Sequence, residues 1–175
     1  DHNRNQVPDE CEPVPGVLFV DAKAPPDGDG LTWASAFAQL GNALDSADRV
    51  YEIRVAKGAY YPAEAGGSRS AAFRLHNDVA IRGGYTGLWA PNPDSRSFDS
   101  TETVLSGDLN QDDRQNFEMR EDNSYHVIDG SGTNNSAILD GFTITAGNGT
   151  GRYPDDEAGG LIAYHGSPSI VNCRF

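Results

Sequence analysis

Apolar residues in this chain come in short runs of strand length, and turn-forming residues separate the runs. The 175 residues include 20 Gly and 10 Pro, which interrupt helices and favour turns. No run approaches the roughly 20 consecutive apolar residues that a membrane-spanning helix needs. The pattern predicts many short strands joined by turns, in one main domain with a short N-terminal appendage.

The strand-like runs are spaced too irregularly for a regular hairpin meander. We predict strands over 17–20, 52–56, 72–75, 79–82, 103–106, 125–128, 137–145, 160–164 and 169–175. No Asn-Gly or Asp-Gly pair joins two neighbouring strands through a two-residue turn, as tight hairpins would require. Parallel pairing of the strands is therefore expected.

One segment has helical spacing instead. Its apolar residues Trp33, Phe37, Leu40 and Leu44 recur at i, i+4, i+7 and i+11, which places them on one face of an amphipathic helix. We predict a helix of about four turns over 32–47, with Thr32 as its N-cap. Such a helix is suited to cover the open end of another structure.

The charge balance bears on partners and cofactors. Acidic residues outnumber basic ones 26 to 13, which gives a formal charge of −13. A surface of this charge repels phosphate backbones and anionic lipids, so we expect neither nucleic acid binding nor membrane insertion. Many carboxylates suit a protein that binds calcium through oxygen ligands, and calcium is the cofactor that we expect.

A series of short motifs resembles a known family along nearly the whole chain. The motifs lie at 20–21, 31–37, 53–62, 73–75, 81–85, 105–108, 123–127 and 139–144. In this order they resemble the right-handed parallel β-helix repeat proteins, large secreted proteins of the pectin-lyase-like superfamily that are frequent in planctomycetes. The resemblance implies an all-β fold, a right-handed parallel β-helix (a solenoid) with an N-terminal capping α-helix, and an extracellular or cell-surface location.

The first twelve residues resemble a calcium loop of the EF-hand, dockerin or thrombospondin type 3 kind. The ligand positions are occupied by Asp1, Asn3, Asn5, the carbonyl of Val7, Asp9 and Glu12. Gln6 replaces the glycine of the usual sharp turn, and a solvated acidic tail is the alternative. We divide the chain into a calcium-loop-like segment or linker at 1–14 and the β-helix domain at 15–175.

A second set of oxygen side chains follows the predicted strand 103–106. Asp108, Asn110 and Asp112 alternate along the chain, so that their oxygens can converge on a hard cation. A solvated polar turn is an equally good explanation of the same pattern. We retain these three residues as a second candidate calcium site.

No motif identifies catalytic residues, and we assign none. We expect a secreted or cell-surface structural or binding module, part of a larger adhesin, surface layer or filament. The alternative is a polysaccharide lyase or glycoside hydrolase of the pectin-lyase-like superfamily, an analogy at the level of the fold alone. The candidate partners are polysaccharide and a second copy of the chain, which would associate through an exposed C-terminal rung at 169–175. The alternative that we favour for this rung is that the chain is a fragment of a longer β-helix.

Overall fold

The structure is a computed structural model that describes residues 16–47, 50–98 and 102–175. Its strands are β1 (Val17–Val20), β2 (Glu52–Ala56), β3 (Gly58–Tyr60), β4 (Phe73–Arg74), β5 (Ala80–Tyr85), β6 (Thr103–Ser106), β7 (Ile128–Asp129), β8 (Ile138–Asp140), β9 (Thr143–Thr145), β10 (Leu161–Ile162) and β11 (Ser169–Val171). Within the described residues the α-helix is α1 (Leu40–Asp45), and two 3-10 helices lie at Trp33–Ser35 and Gln115–Phe117.

The strands form three small sheets, and every ladder between them is parallel. One sheet has five strands in the order β1-β2-β5-β8-β11, and the other two have three strands each, in the orders β10-β7-β4 and β3-β6-β9. Because parallel neighbours cannot be joined by a tight hairpin, each connection crosses the molecule before the chain returns to the same sheet. The loops that leave the strand ends are therefore brought side by side.

One apolar core is shared by all three sheets and the helix. Its fully buried members include Ile53 and Ile81 from the five-stranded sheet, Leu105 from β6, Ile128 from β7 and Leu40 from α1. Burying a side chain of this size stabilises the fold by about 1.5–3 kcal/mol. Sheets with so few strands each are held together mainly by this common interior.

The predicted four-turn helix over 32–47 is wrong. Ala36 has φ −58° and ψ 150°, and Phe37 instead makes a parallel bridge to Val20. Leu40 then begins a helix of only 6 residues. Thr32 does act as an N-cap, accepting a hydrogen bond from the Ser35 amide, but it caps the 3-10 helix. Backbone pairing with β1 outweighs the helical spacing of the apolar residues.

The predicted fold class, an all-β right-handed parallel β-helix, is also wrong. The structure is mixed and α/β-like, with three small parallel sheets and one short helix. The physical reason lies in the interior, where Leu40, Ala43 and Leu44 of α1 fill space against β1 and β4. The helix is thus a component of the core.

Two further expectations concerned the division of the chain into domains and insertion into a membrane. The division into 1–14 and 15–175 stays a prediction, because residues 1–15 lie outside the described part. Among the described residues, no helix has the length and apolar character needed to span a membrane.

Candidate metal centre

Three carboxylates converge in the long connection between β6 and β7. Asp108, Asp112 and Asp122 each offer one oxygen atom, and these atoms all lie within 4.8 Å of one another. Two oxygens bound to one Ca²⁺ at about 2.3–2.6 Å can be at most about 5 Å apart. The spacing of the three carboxylates therefore fits a single divalent cation.

Backbone amides fold the connection around these carboxylates. The two oxygens of Asp108 accept hydrogen bonds from the amides of Asp112 (3.1 Å) and Asp113 (3.2 Å). The Asn110 amide donates to Asp122 Oδ2 at 2.8 Å. Each bond links the first part of the connection to a carboxylate, so local backbone geometry brings the acidic side chains together.

Several polar atoms at this place are buried without a hydrogen-bond partner in the described part of the chain. They include the Oδ1 atoms of Asp112, Asp113 and Asn123. Leaving a buried acceptor unsatisfied costs about 1–3 kcal/mol, and more when the group is charged. Unsatisfied oxygens in a carboxylate cluster are explained when a cation or ordered water supplies the missing contacts.

The surroundings of Asp113 disfavour a negative charge on its carboxylate. Burial raises the pKa of Asp113 above its usual value; the amide of Asn123 counteracts this, and the neighbouring Asp108 carboxylate reinforces it. Arg120 gives partial compensation, with Nε 3.7 Å from Asp113 Oδ2. A divalent cation beside Asp113 would favour its ionised form, which burial and the Asp108 carboxylate disfavour.

The structure brings together two of the three residues that the sequence predicted here. Asp108 and Asp112 belong to the cluster. The Asn110 side chain does not, because its Oδ1 accepts a hydrogen bond from the Gly66 amide at 3.0 Å. Asp122 was missed, although the run of acidic residues between β6 and β7 was a signal that could have suggested it.

The other predicted calcium site lies in a part of the chain that the structure does not describe. Its ligand positions Asp1, Asn3, Asn5, Val7, Asp9 and Glu12 all lie outside the described residues. The N-terminal calcium loop therefore stays a prediction.

The donor set at Asp108, Asp112 and Asp122 suits a hard cation. Three carboxylates supply part of the six to eight oxygens that calcium takes, and water or backbone carbonyls can supply the rest. Chemically, such a centre can hold an ion and fasten the two ends of the connection to each other. No family model, curated protein or solved structure matches this chain.

Proposed function

We propose that this chain is a structural and binding module of a secreted or cell-surface protein, and that calcium at Asp108, Asp112 and Asp122 stabilises it. The observation that carries the proposal is the convergence of three carboxylate oxygens within 4.8 Å beside buried oxygens that have no partner among the described residues. An ion at this place acts on folding, because the unfolded chain does not assemble the ligands.

The position of the centre explains why an ion would matter to the whole fold. The connection between β6 and β7 returns to its starting point, where the Ser124 amide donates to the Gly107 carbonyl at 2.8 Å. Asn123 is fully buried and donates from Nδ2 to Asp113 at 3.0 Å. An ion that fixes Asp108, Asp112 and Asp122 holds this buried closure in place.

The proposal predicts that calcium raises the thermal stability of the chain. At a free concentration of one hundred times Kd, an ion bound only by the folded state adds about 2.7 kcal/mol, or about 5–10 °C in Tm for a chain of this size. The measurement is thermal unfolding followed by circular dichroism, in EDTA and in a series of calcium concentrations.

Substitution of single carboxylates tests where the calcium ion binds. Asp112→Asn and Asp122→Asn should each reduce the calcium-dependent rise in Tm, and the double variant should abolish the part that comes from this centre. Asp156→Asn, at an exposed carboxylate, is the matched control and should behave as the parent. Asp9→Asn tests the N-terminal loop separately. A calcium effect that persists unchanged in the double variant would contradict the centre proposed here.

A binding or structural role also predicts the absence of catalysis. The purified chain is incubated with a panel of acidic and neutral polysaccharides, with and without calcium, and unsaturated products and new reducing ends are followed. We expect none. Cleavage that depends on calcium would support the lyase or hydrolase alternative instead. Self-association of the chain stays a prediction, to be measured by sedimentation velocity.

A further inference from the structure

A cavity of about 300 Å³ lies where three neighbouring strands of the five-stranded sheet end. Asp21 and Lys23 follow β1, Lys57 follows β2, and the segment 86–91 follows β5. The three strands are adjacent in the order β1-β2-β5 and run parallel. Their carboxyl ends therefore meet at one edge of the sheet, and the residues that follow them line one cavity.

The two lysines of this cavity are the only lysines in the sequence. The chain has a formal charge of −13, yet both of its lysines line this one cavity. Both side chains are exposed, and neither ammonium group makes an ion pair with a described residue. The charged residues that line the cavity are these two lysines and Asp21. The lining therefore carries a net positive charge, although the molecule as a whole is strongly acidic. An anionic ligand would be attracted here in particular.

The third notable side chain is Trp89, which is 76% exposed. Tryptophan normally buries most of its large apolar surface, and an exposed indole beside a cavity offers a flat face for a ring to stack on. The other tryptophan, Trp33, is 8% exposed. The exposure of Trp89 is therefore not a general feature of tryptophan in this fold.

Hydrogen bonds donated by backbone amides hold the wall of the cavity together. The buried carboxylate of Asp21 accepts from the amides of Lys23 (2.9 Å) and Leu88 (3.0 Å), which joins the end of β1 to the segment after β5. The Lys57 amide donates to the Tyr85 carbonyl at 2.8 Å. Asp21 thus has a positioning role, and it leaves both ammonium groups available to a ligand.

We propose that this cavity binds a small carboxylate that carries a single ring, with the carboxylate between Lys23 and Lys57 and the ring against Trp89. The volume lies at the lower end for ligand pockets and suits one ring with its acidic group. A sugar acid and an aromatic acid share this chemistry. The proposal does not depend on the calcium centre, and its test is carried out in EDTA.

The test uses D-glucuronate and benzoate as probes, with D-glucose and benzamide as their neutral counterparts. In ¹H–¹⁵N correlation spectra the indole N–H signal of Trp89 should move on addition of at least one of the acids, and the neutral compounds should leave it in place. The acid that binds more tightly shows whether the cavity prefers a sugar acid or an aromatic acid. No shift with either acid at about 20 mM, which excludes Kd values near the millimolar range, would overturn the proposal.

Variants assign the contacts, with dissociation constants measured by saturation-transfer NMR on the ligand. The double variant Lys23→Gln/Lys57→Gln and the variant Trp89→Ala should each weaken binding about tenfold or more, whereas Trp89→Phe keeps a ring and should restore most of the affinity. Arg74→Gln and Tyr153→Ala, at an exposed cation and an exposed ring elsewhere, are the matched controls. Unchanged affinity in the lysine double variant, or equal binding of benzamide, contradicts the proposal.

Discussion

Asp140 is a buried carboxylate that joins three separate parts of the chain. Its Oδ2 accepts hydrogen bonds from Arg82 (2.8 Å) and Arg96 (2.9 Å), and its Oδ1 accepts from Asn172 (2.8 Å). Burial alone would raise the pKa of Asp140, but the hydrogen bonds from Arg96 and Asn172 and the charges of both arginines lower it below its usual value. The ionised form is thus the one that the fold stabilises.

Replacement of Asp140 by Asn should destabilise the protein by about 2–4 kcal/mol at pH 7, because two arginines lose their shared counter-charge. The pH dependence has a definite sign. Since the folded pKa is the lower one, the contribution of Asp140 is complete above the unfolded value near 3.9 and is lost as pH falls through the folded value.

The stability difference between parent and Asp140→Asn should therefore shrink below about pH 4. Urea unfolding at pH 7, 5 and 3.5 measures it, with Asp156→Asn as the control for a general loss of negative charge. A difference that stays constant over this range would show that packing, and not charge, accounts for the effect.

The residues of the candidate metal centre could be predicted from the sequence only in part. Alternate spacing marked Asp108 and Asp112, since alternate oxygens along a loop can converge. It could not reveal that the Asn110 side chain bonds the Gly66 amide, a contact between residues far apart in sequence. Asp122 joins the cluster only after the connection closes on itself, so the spacing of the first three residues held no information about it.

Among the elements, predictions succeeded where local pattern and tertiary pairing agree. The predicted bounds of β1, β2 and β6 are those of the structure. Strand β3 (Gly58–Tyr60) was not predicted, because three residues with one buried side chain give no detectable alternation. The helix failed for the opposite reason: its spacing was clear, but Phe37 pairs with Val20, and tertiary pairing overrides local propensity.

Helix α1 also contains a residue that weakens it. Gly41 is the second residue of α1; glycine costs at most about 0.5–1 kcal/mol relative to alanine in a helix, and an added Cβ would meet nothing within 4 Å. Gly41→Ala should therefore raise the free energy of unfolding by up to about that amount. Urea unfolding checks it, and a loss of stability would mean that the helix needs its glycine.

Gly83 in β5 should respond in the opposite direction. A Cβ there would lie 2.6 Å from the Gly141 carbonyl oxygen and 3.1 Å from the Phe142 ring, and backbone cannot yield as a flexible side chain can. Gly83→Ala should lower stability by about 1–3 kcal/mol, the usual cost of overpacking. The two substitutions are chemically identical, so a common effect of added alanine cannot explain opposite signs.

For the molecule as a whole, the sequence indicated short strands in parallel pairs but not the class that they assemble into. The resemblance implied a continuous β-helix with a helix outside it as a cap. In the structure Leu40 and Leu44 of α1 belong to the common core, and α1 packs against β1 and β4, which are strands of two of the three small sheets. Whether a short amphipathic segment covers a core or belongs to it depends on long-range packing, which spacing along the chain does not encode.

The shared core predicts that the described part of the chain unfolds as one unit. Leu105, in the central strand of the sheet β3-β6-β9, is 0% exposed, and Leu105→Ala should cost about 2–5 kcal/mol. Trp33 belongs to a separate small cluster with Ala56 and Tyr85. If the molecule is cooperative, a substitution in the main core must destabilise that cluster equally.

The measurement uses Trp89→Phe as the background, which leaves Trp33 as the only tryptophan. Urea unfolding is followed by Trp33 fluorescence and by far-ultraviolet circular dichroism, with and without Leu105→Ala. Both midpoints should fall by the same amount, because β1, β2 and β5 supply residues to the core and also carry the Trp33 cluster. A Trp33 midpoint that stays in place while the other falls would mean that the first strands fold independently of β6.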